Sequence, residues 1–353
     1  MKKSKAALTT KNRKLSPSRS NSSDRPNDGL VFSAIPTNHQ ITTLLKKGKL
    51  SPSLVWPGRT IFTAEMKRVL ANKSREMWHS TSGEPRIGRK KWIVNNLADP
   101  DRYPHALKFL AEKTAGSETK IFNHPNAVLG TRRDKISETL SGIQHLTAPK
   151  CIRFRATHPN HFQDAFQRGG FEYPVLIRPS GSQTGQNLLF IGSKNEWDKI
   201  YSIPWGGCNL FMTQWVDFQS SDNEWRKLRL SITPSGVRLR HILFGSSWLI
   251  HSVERDEAMV QKEVGILKHA GEWEKLQQLG KSIREKVGLD FFGVDIGWKS
   301  DTEFVLFEAN ATMSILSYRL MPEFQRDVYV NNIKNIEKDV WQTLEATTGS
   351  TLR

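Results

Sequence analysis

The chain has 353 residues, 37% hydrophobic and 25% charged, with a formal net charge of +17. That is enough apolar material for a sizeable core spread over two or three domains, and there is no run of about 18 apolar residues to suggest a membrane span. Two cysteines, Cys151 and Cys208, lie far apart without CxxC or zinc spacing, which argues against a disulfide framework and makes a reducing cytoplasm the expected compartment.

Residues 1–28 read as a disordered basic tail. Over residues 1–25, Lys2, Lys3, Lys5, Lys11, Arg13, Lys14, Arg19 and Arg25 face Asp24 alone, in a stretch too polar to offset its ordering entropy. Such a tail can touch an anionic surface or an acidic partner. It has no apolar stretch of the secretory kind and no obvious amphipathic stripe. The basic excess carries no helix-turn-helix or aromatic RNA-binding motif, so nucleic acid is not the expected partner.

Leu30–Ile35 reads as a strand, Ala64–Ala71 as a helix, Lys91–Asn95 as a strand, Pro104–Ala115 as a helix and Lys120–Asn123 as a strand. The alternation predicts a small α/β domain over residues 29–125, whose loops near Trp78–Arg89 are expected to help choose the substrate. A second block opens at Asn126, where Thr131 followed by Asp134 predicts a helix over Asp134–Ile143. Lys150–Ala156 follows as a strand and His161–Arg168 as a helix closed by Gly169 and Gly170. Tyr173–Arg178 and Asn187–Gly192 flank a Gly/Ser turn and predict a hairpin; Glu196–Tyr201 reads as a helix and Asn209–Asp217 as a strand. Trp225–Thr233 and Val237–Phe244 are strands about a tight turn, and a long helix is expected over Glu254–Leu279 or part of it, with helical character continuing through Lys281–Val287. His251 reads as a core or surface residue. Two strands, Phe291–Lys299 and Glu303–Met313, and a helix over Val328–Thr347 complete the chain.

The last strand pair carries the chemistry. Alternation places Gly293, Asp295 and Gly297 on one face, Leu306, Glu308 and Asn310 on one face of the partner strand, and Val305, Phe307 and Ala309 on its other. A turn centred on Asp301 and Thr302 puts Asp295 directly opposite Glu308. Like charges there are destabilising unless a cation sits between them. Two carboxylates and the amide of Asn310 form an oxygen set suited to magnesium. The two glycines are expected to leave open space around Asp295.

The segment FFGVDIGWKSDTEFVLFEANATM resembles the magnesium site of ATP-grasp enzymes, with Asp295, Glu308 and Asn310 in the family's order and spacing. Upstream segments fall in the family's order over roughly residues 90–320: GTRRDK at 130–135, YPVLIRP at 173–179 with a Gly/Ser loop, FMTQWVD at 211–217 and WRKLRLSI at 225–232. The likeness is greatest to the glutathione-synthetase-like and RimK-type group. It implies an ATP-grasp fold of mixed α+β and α/β class over residues 126–350, two α+β subdomains clamping ATP with a lid at about 150–217, preceded by the small α/β domain.

By the same resemblance, Lys135 and Arg178 would contact phosphates, with Arg178 standing where the family usually carries Lys. Ser182 and Gly185 would belong to the loop covering them, and Gln214, Trp215, Val216 and Asp217 to the segment that meets adenine. Lys227, Arg229 and Arg240 would face the transferred phosphate. The implied cofactors are ATP and Mg2+ (or Mn2+). The implied activity is a carboxylate–amine ligation through an acyl-phosphate, on small-molecule or peptide substrates, possible amino acids included. The alternative is a non-catalytic ATP-binding module that recruits a partner through the basic tail. No membrane partner is expected, and association into a homo-oligomer is left open.

Overall fold

The computed structural model describes residues 28–34, 36, 41–46, 49–54, 61–79, 87–182, 185, 187–250, 256–317, 326–349 and 351–352. The basic tail up to residue 27, residues 80–86 of the loop region and His251 lie outside the described residues.

The chain opens with β1 (Gly29–Ala34), β2 (Ile41–Lys46), β3 (Lys49–Leu54), α1 (Ala64–Lys73), β4 (Arg75–His79), β5 (Trp92–Asn95), α2 (Pro104–Thr114) and β6 (Lys120–Phe122). Four of these strands form a parallel sheet in the order β4-β1-β5-β6, while β2 and β3 pair with each other. Parallel neighbours need crossovers; α1 supplies one between β1 and β4, and α2 another between β5 and β6. All four residues of β5 are buried, as in a strand covered on both faces. Thr63 caps α1, its Oγ1 accepting the Met66 N–H at 3.2 Å.

Next come α3 (Pro125–Gly130), α4 (Arg133–Leu140), β7 (Leu146–Thr147), β8 (Cys151–Arg155), α5 (Asn160–Arg168), β9 (Val175–Pro179), β10 (Leu189–Ile191), a 3-10 helix (Lys194–Ser202) and β11 (Asn209–Gln214). Strands β10-β9-β11-β8 form an antiparallel sheet over the segment expected as the lid. It has its own apolar core, in which Phe162 of α5 and Trp197 of the 3-10 helix cover Ile177 and Met212. The expected helix start at Thr131 is corrected. Thr131 instead closes α3, its Oγ1 donating to Val128 O at 2.7 Å, and α4 begins two residues later.

The remainder is β12 (Trp225–Thr233), β13 (Gly236–Gly245), α6 (Glu257–His269), α7 (Glu274–Val287), β14 (Phe292–Ser300), β15 (Glu303–Asn310) and α8 (Arg326–Thr348). Its sheet runs β13-β12-β14-β15-β7. The helix expected over Glu254–Leu279 or part of it occupies Glu257–His269, and a 3-10 turn at Ala270–Glu272 separates it from α7. This sheet and the first one share one continuous apolar core, with Leu107, Phe122, Leu230, Val294 and Val340 among its members. Asn123 fastens the two: its Oδ1 accepts the N–H groups of Asp290 and Phe291 at 2.9 Å each, and its Nδ2 donates to Phe291 O at 2.9 Å. Among the described residues no helix is long and apolar enough to cross a membrane.

Candidate functional site

Asp295 lies opposite Glu308 in the β14–β15 ladder, as the turn position required. Two irregularities separate the pair from the turn. Lys299 is an extra residue on β14 and Phe307 an extra residue on β15, so the offsets cancel. The bulge at Phe307 corrects the expected faces of β15. Leu306, opposite Ile296, turns into the shared core with Ala309, while Val305 and Phe307 join an aromatic cluster with Phe218 on the side of Gly297. Gly293 and Gly297 do not leave open space. A Cβ on Gly293 would meet Met313 Sδ at 2.5 Å, and one on Gly297 would meet Phe218 and Phe307 at 2.7 and 2.8 Å. The glycines let side chains lie flat on the strand.

Asp295 is fully buried and its charge is matched. Arg229, its in-register neighbour on β12, donates from Nε to Oδ1 and from Nη2 to Oδ2, both at 2.7 Å. Lys227 Nζ lies 2.7 Å from Oδ2. Burial alone would raise the Asp295 pKa, but the charges of Arg229 and Lys227 outweigh it and hold the carboxyl below the usual range. The same pairing keeps the Arg229 guanidinium above its usual value despite burial. Glu308 pairs with Arg133 Nη2, and Arg133 Nη1 donates to Phe307 O at 3.0 Å. Burial opposes the Glu308 charge too, and Arg133 first among its neighbours lowers its pKa.

Arg178 completes the cluster from the lid. Its Nε donates to Ser182 Oγ at 3.1 Å and its Nη2 to Ser182 O. Burial, then the charge of Arg133, pushes its pKa down to about 9, with Glu308 only partly countering. It therefore stays charged at neutral pH without a carboxylate of its own. Four cations (Arg133, Arg178, Lys227 and Arg229) thus surround two carboxylates. An excess of buried positive charge favours an anionic ligand. Cys151, beside this cluster, takes a hydrogen bond from Thr213 Oγ1 at 3.3 Å, and burial pushes its thiol up to about 11.

Other sequence-predicted residues are placed differently. Lys135 projects from α4 into an exposed pair with Glu138 at 3.2 Å; Arg133, which sequence reasoning missed, is the α4 residue that reaches the strands. The signal was present. Arg133, Ile136, Ser137 and Leu140 follow the i, i+3, i+4, i+7 stripe, and the last three are buried. Arg240 is buried, donating to Ile315 O at 2.8 Å and Ser317 O at 2.9 Å, so it braces the segment after β15. Gln214 Nε2 donates to Glu172 O and Pro174 O at 2.9 and 3.1 Å. Trp215 and Val216 border the aromatic cluster, with Trp215 edge-on to Trp248 at 4.9 Å. Asp217 is exposed and accepts the Gln219 N–H at 3.0 Å. Gly185 is described at φ +70°, but its neighbours Gln183, Thr184 and Gln186 are outside the described residues.

Among the described residues no three His, Cys, Asp or Glu side chains gather as a metal site; here there are two carboxylates and an amide. A carboxylate offers about four acceptor positions. Asp295 accepts from three donors, and Glu308 is paired through one oxygen, so both retain capacity. Asn310 Oδ1 accepts from Thr312 N at 2.9 Å and Thr312 Oγ1 at 2.6 Å, and must release one of these to bind a cation. The set fits a hard divalent cation through Asp295 and Glu308.

No model of a known family matches the chain, and no curated protein is similar to it in sequence. Solved structures similar to it include N5-carboxyaminoimidazole synthetase from Staphylococcus aureus, at 9% identity and a TM-score of 0.48, covering 93% of this chain and 79% of that one. A D-Ala:D-Ser ligase from Enterococcus faecalis is similar at 12% identity and 0.47, covering 89% and 99%. A RimK domain ATP-grasp protein from Sphaerobacter thermophilus is similar at 11% identity and 0.44, covering 88% and 98%.

Proposed function

We propose that the chain is an ATP-dependent carboxylate–amine ligase of the ATP-grasp type, acting through an acyl-phosphate. The observation that carries this reading is the convergence of Arg133, Arg178, Lys227 and Arg229 on the opposed carboxylates Asp295 and Glu308. A magnesium nucleotide is itself an anion and would neutralise the excess charge. Asp295 and Glu308 would hold Mg2+ (or Mn2+), with Asn310 as a third oxygen. When bound, the cation supplies charge neutralisation at the phosphate oxygens.

Arg178 reaches the cluster from the lid and is the cation with charge to spare, so it binds the terminal phosphates. Arg133 orients Glu308, and Lys227 with Arg229 orients Asp295. Their partner contacts give them a positioning task in addition to stabilising charge on the moving phosphoryl group. The backbone of 214–217 would meet the base. No nucleophilic side chain is required, which agrees with the raised pKa of Cys151. The cytoplasm remains the proposed compartment.

The test is ADP release from ATP and magnesium with pooled amino acids or peptides, read with the matching mass gain of the product. Glu308→Gln and Arg178→Met should abolish or strongly reduce release; full activity in Glu308→Gln sinks the metal assignment. One observation favours a second reading. Arg178 is turned onto its own loop at Ser182, which suits a module that binds nucleotide without chemistry. ATP binding with no ADP from any pool would select it.

A further inference from the structure

Four charges stand in one row across the sheet that carries Asp295. Arg229 on β12 pairs in register with Asp295 on β14, and Asp295 with Glu308 on β15, while Arg133 of α4 closes the row beyond Glu308. The signs run plus, minus, minus, plus. The arginines hold the two ends, and the like charges meet in the middle. Opposed carboxylates of this kind need a further cation close by.

The chain supplies one. Lys227 lies opposite Gly297, two residues along β14 from Asp295, and its Nζ is 2.7 Å from Asp295 Oδ2. Burial raises the pKa of Glu308; Arg133 and then Lys227 are among the charges that lower it, so Lys227 acts on both carboxylates. Of the contacts on Asp295, that of Lys227 is the most readily exchanged. Arg229 is clamped by two bonds, from Nε to Oδ1 and from Nη2 to Oδ2, each 2.7 Å long. Lys227 makes one contact from a flexible stem, and its side chain is 21% exposed, which gives it a way out toward water. The ammonium and a divalent cation therefore compete for the same carboxylate.

The charge balance points the same way. Arg133, Arg178, Lys227 and Arg229 exceed Asp295 and Glu308 by two positive charges. A bare divalent cation would double that excess among buried groups, where like charges repel strongly. A nucleoside triphosphate carries about four negative charges, so cation and nucleotide together leave the cluster neutral. The cation alone is repelled, and the cation with its nucleotide is matched.

We propose that Lys227 is the chain's own stand-in for the metal ion: its ammonium holds Asp295 and excludes a free divalent cation, so that the site takes up its cation only together with nucleotide. Lys227 does this through Asp295, as a positioning residue. The place of the metal rests on the ligase reading above; the exclusion by Lys227 goes beyond it.

The test uses the full chain and manganese ion, whose free form gives an electron paramagnetic resonance signal that is lost on binding. The parent without nucleotide should leave the signal almost unchanged. A non-hydrolysable ATP analogue should bring on binding beyond what the analogue takes up by itself. Lys227→Met should bind manganese without nucleotide at least about 10-fold more tightly than the parent, and adding Glu308→Gln should remove the gain. Lys227→Gln replaces Lys227→Met should the latter not fold. Lys227→Arg keeps the charge and should exclude the ion as the parent does, a rescue that a loss of packing alone would not produce. Equal binding of free manganese by the parent and Lys227→Met, a gain that survives Glu308→Gln, or the same gain in Lys227→Arg overturns the proposal. Where the parent's binding of free ion is lost in Glu308→Gln, the metal assignment still stands. No manganese bound by any of these proteins with the analogue present overturns the metal assignment itself. ADP release is recorded separately. Exclusion that behaves as expected without any ADP release supports the role of Lys227 and overturns the ligase reading.

Discussion

Replacing Asp295 with Asn should measurably destabilise the fold before any substrate is considered. The carboxylate is 0% exposed and accepts hydrogen bonds from Arg229 and Lys227, whose side chains are 20% and 21% exposed. Removing one member of a buried ion pair costs about 3–5 kcal/mol, because the other charge is left unmatched. Here the two cations can still reach water, which places the loss at the lower end, about 3 kcal/mol. With a urea slope of about 3 kcal/mol per molar for a chain of this size, the midpoint should fall by about 1 M. Arg229→Met should also destabilise, and the double variant should lose less than the sum of the two, with a coupling of about 1–3 kcal/mol. Urea unfolding followed by tryptophan fluorescence measures all three. A midpoint shift in Asp295→Asn below about 0.3 M, or strict additivity in the cycle, would refute the reasoning.

The lowered pKa of Asp295 implies acid sensitivity. Its contribution is fully present above the ordinary carboxylate pKa of about 4 and is lost as pH falls through the lowered folded value, so urea midpoints between neutral pH and about pH 3 should decline less steeply in Asp295→Asn than in the parent. Arg133→Met should weaken nucleotide-dependent thermal stabilisation at least tenfold in apparent affinity, whereas Lys135→Met should change stability by less than about 0.5 kcal/mol and leave the affinity unchanged. Thiol reagent at pH 8 should label exposed Cys208 and spare Cys151, whose burial pushes its pKa up to about 11, as counted by intact mass; rapid double labelling of native protein would contradict that placement.

What the sequence disclosed was governed by local periodicity. The opposition of Asp295 and Glu308 follows from counting outward from Asp301 and Thr302, and it survives because two bulges offset one another. The bulges themselves leave no mark in composition, so the side of Leu306 was misassigned. The first turn of α4 failed differently. Arg133 and Lys135 are two positions apart and point to opposite sides, so choosing between them requires the helix phase, fixed by buried Ile136 and Leu140. The filling of the space beside Gly293 and Gly297 was not legible, because Met313 and Phe218 arrive from other segments.

The lid's attachment also has a mechanical consequence. Its entry and exit lie side by side: Gln214 N donates to Lys150 O at 2.8 Å, and Trp215 N to Pro174 O at 3.1 Å. Two adjacent anchors would serve as a pivot for a sheet that has its own apolar core. Gln214 pairs with Val175, so Arg178 sits three residues along β9, about 10 Å from the pivot. At that radius a tilt of about 10° carries its backbone by roughly 2 Å. Asp295 and Glu308 stand on strands rooted in the core shared by the other two sheets. A tilt of that size would change the separation between Arg178 and the two carboxylates by as much as separates a hydrogen bond from no contact.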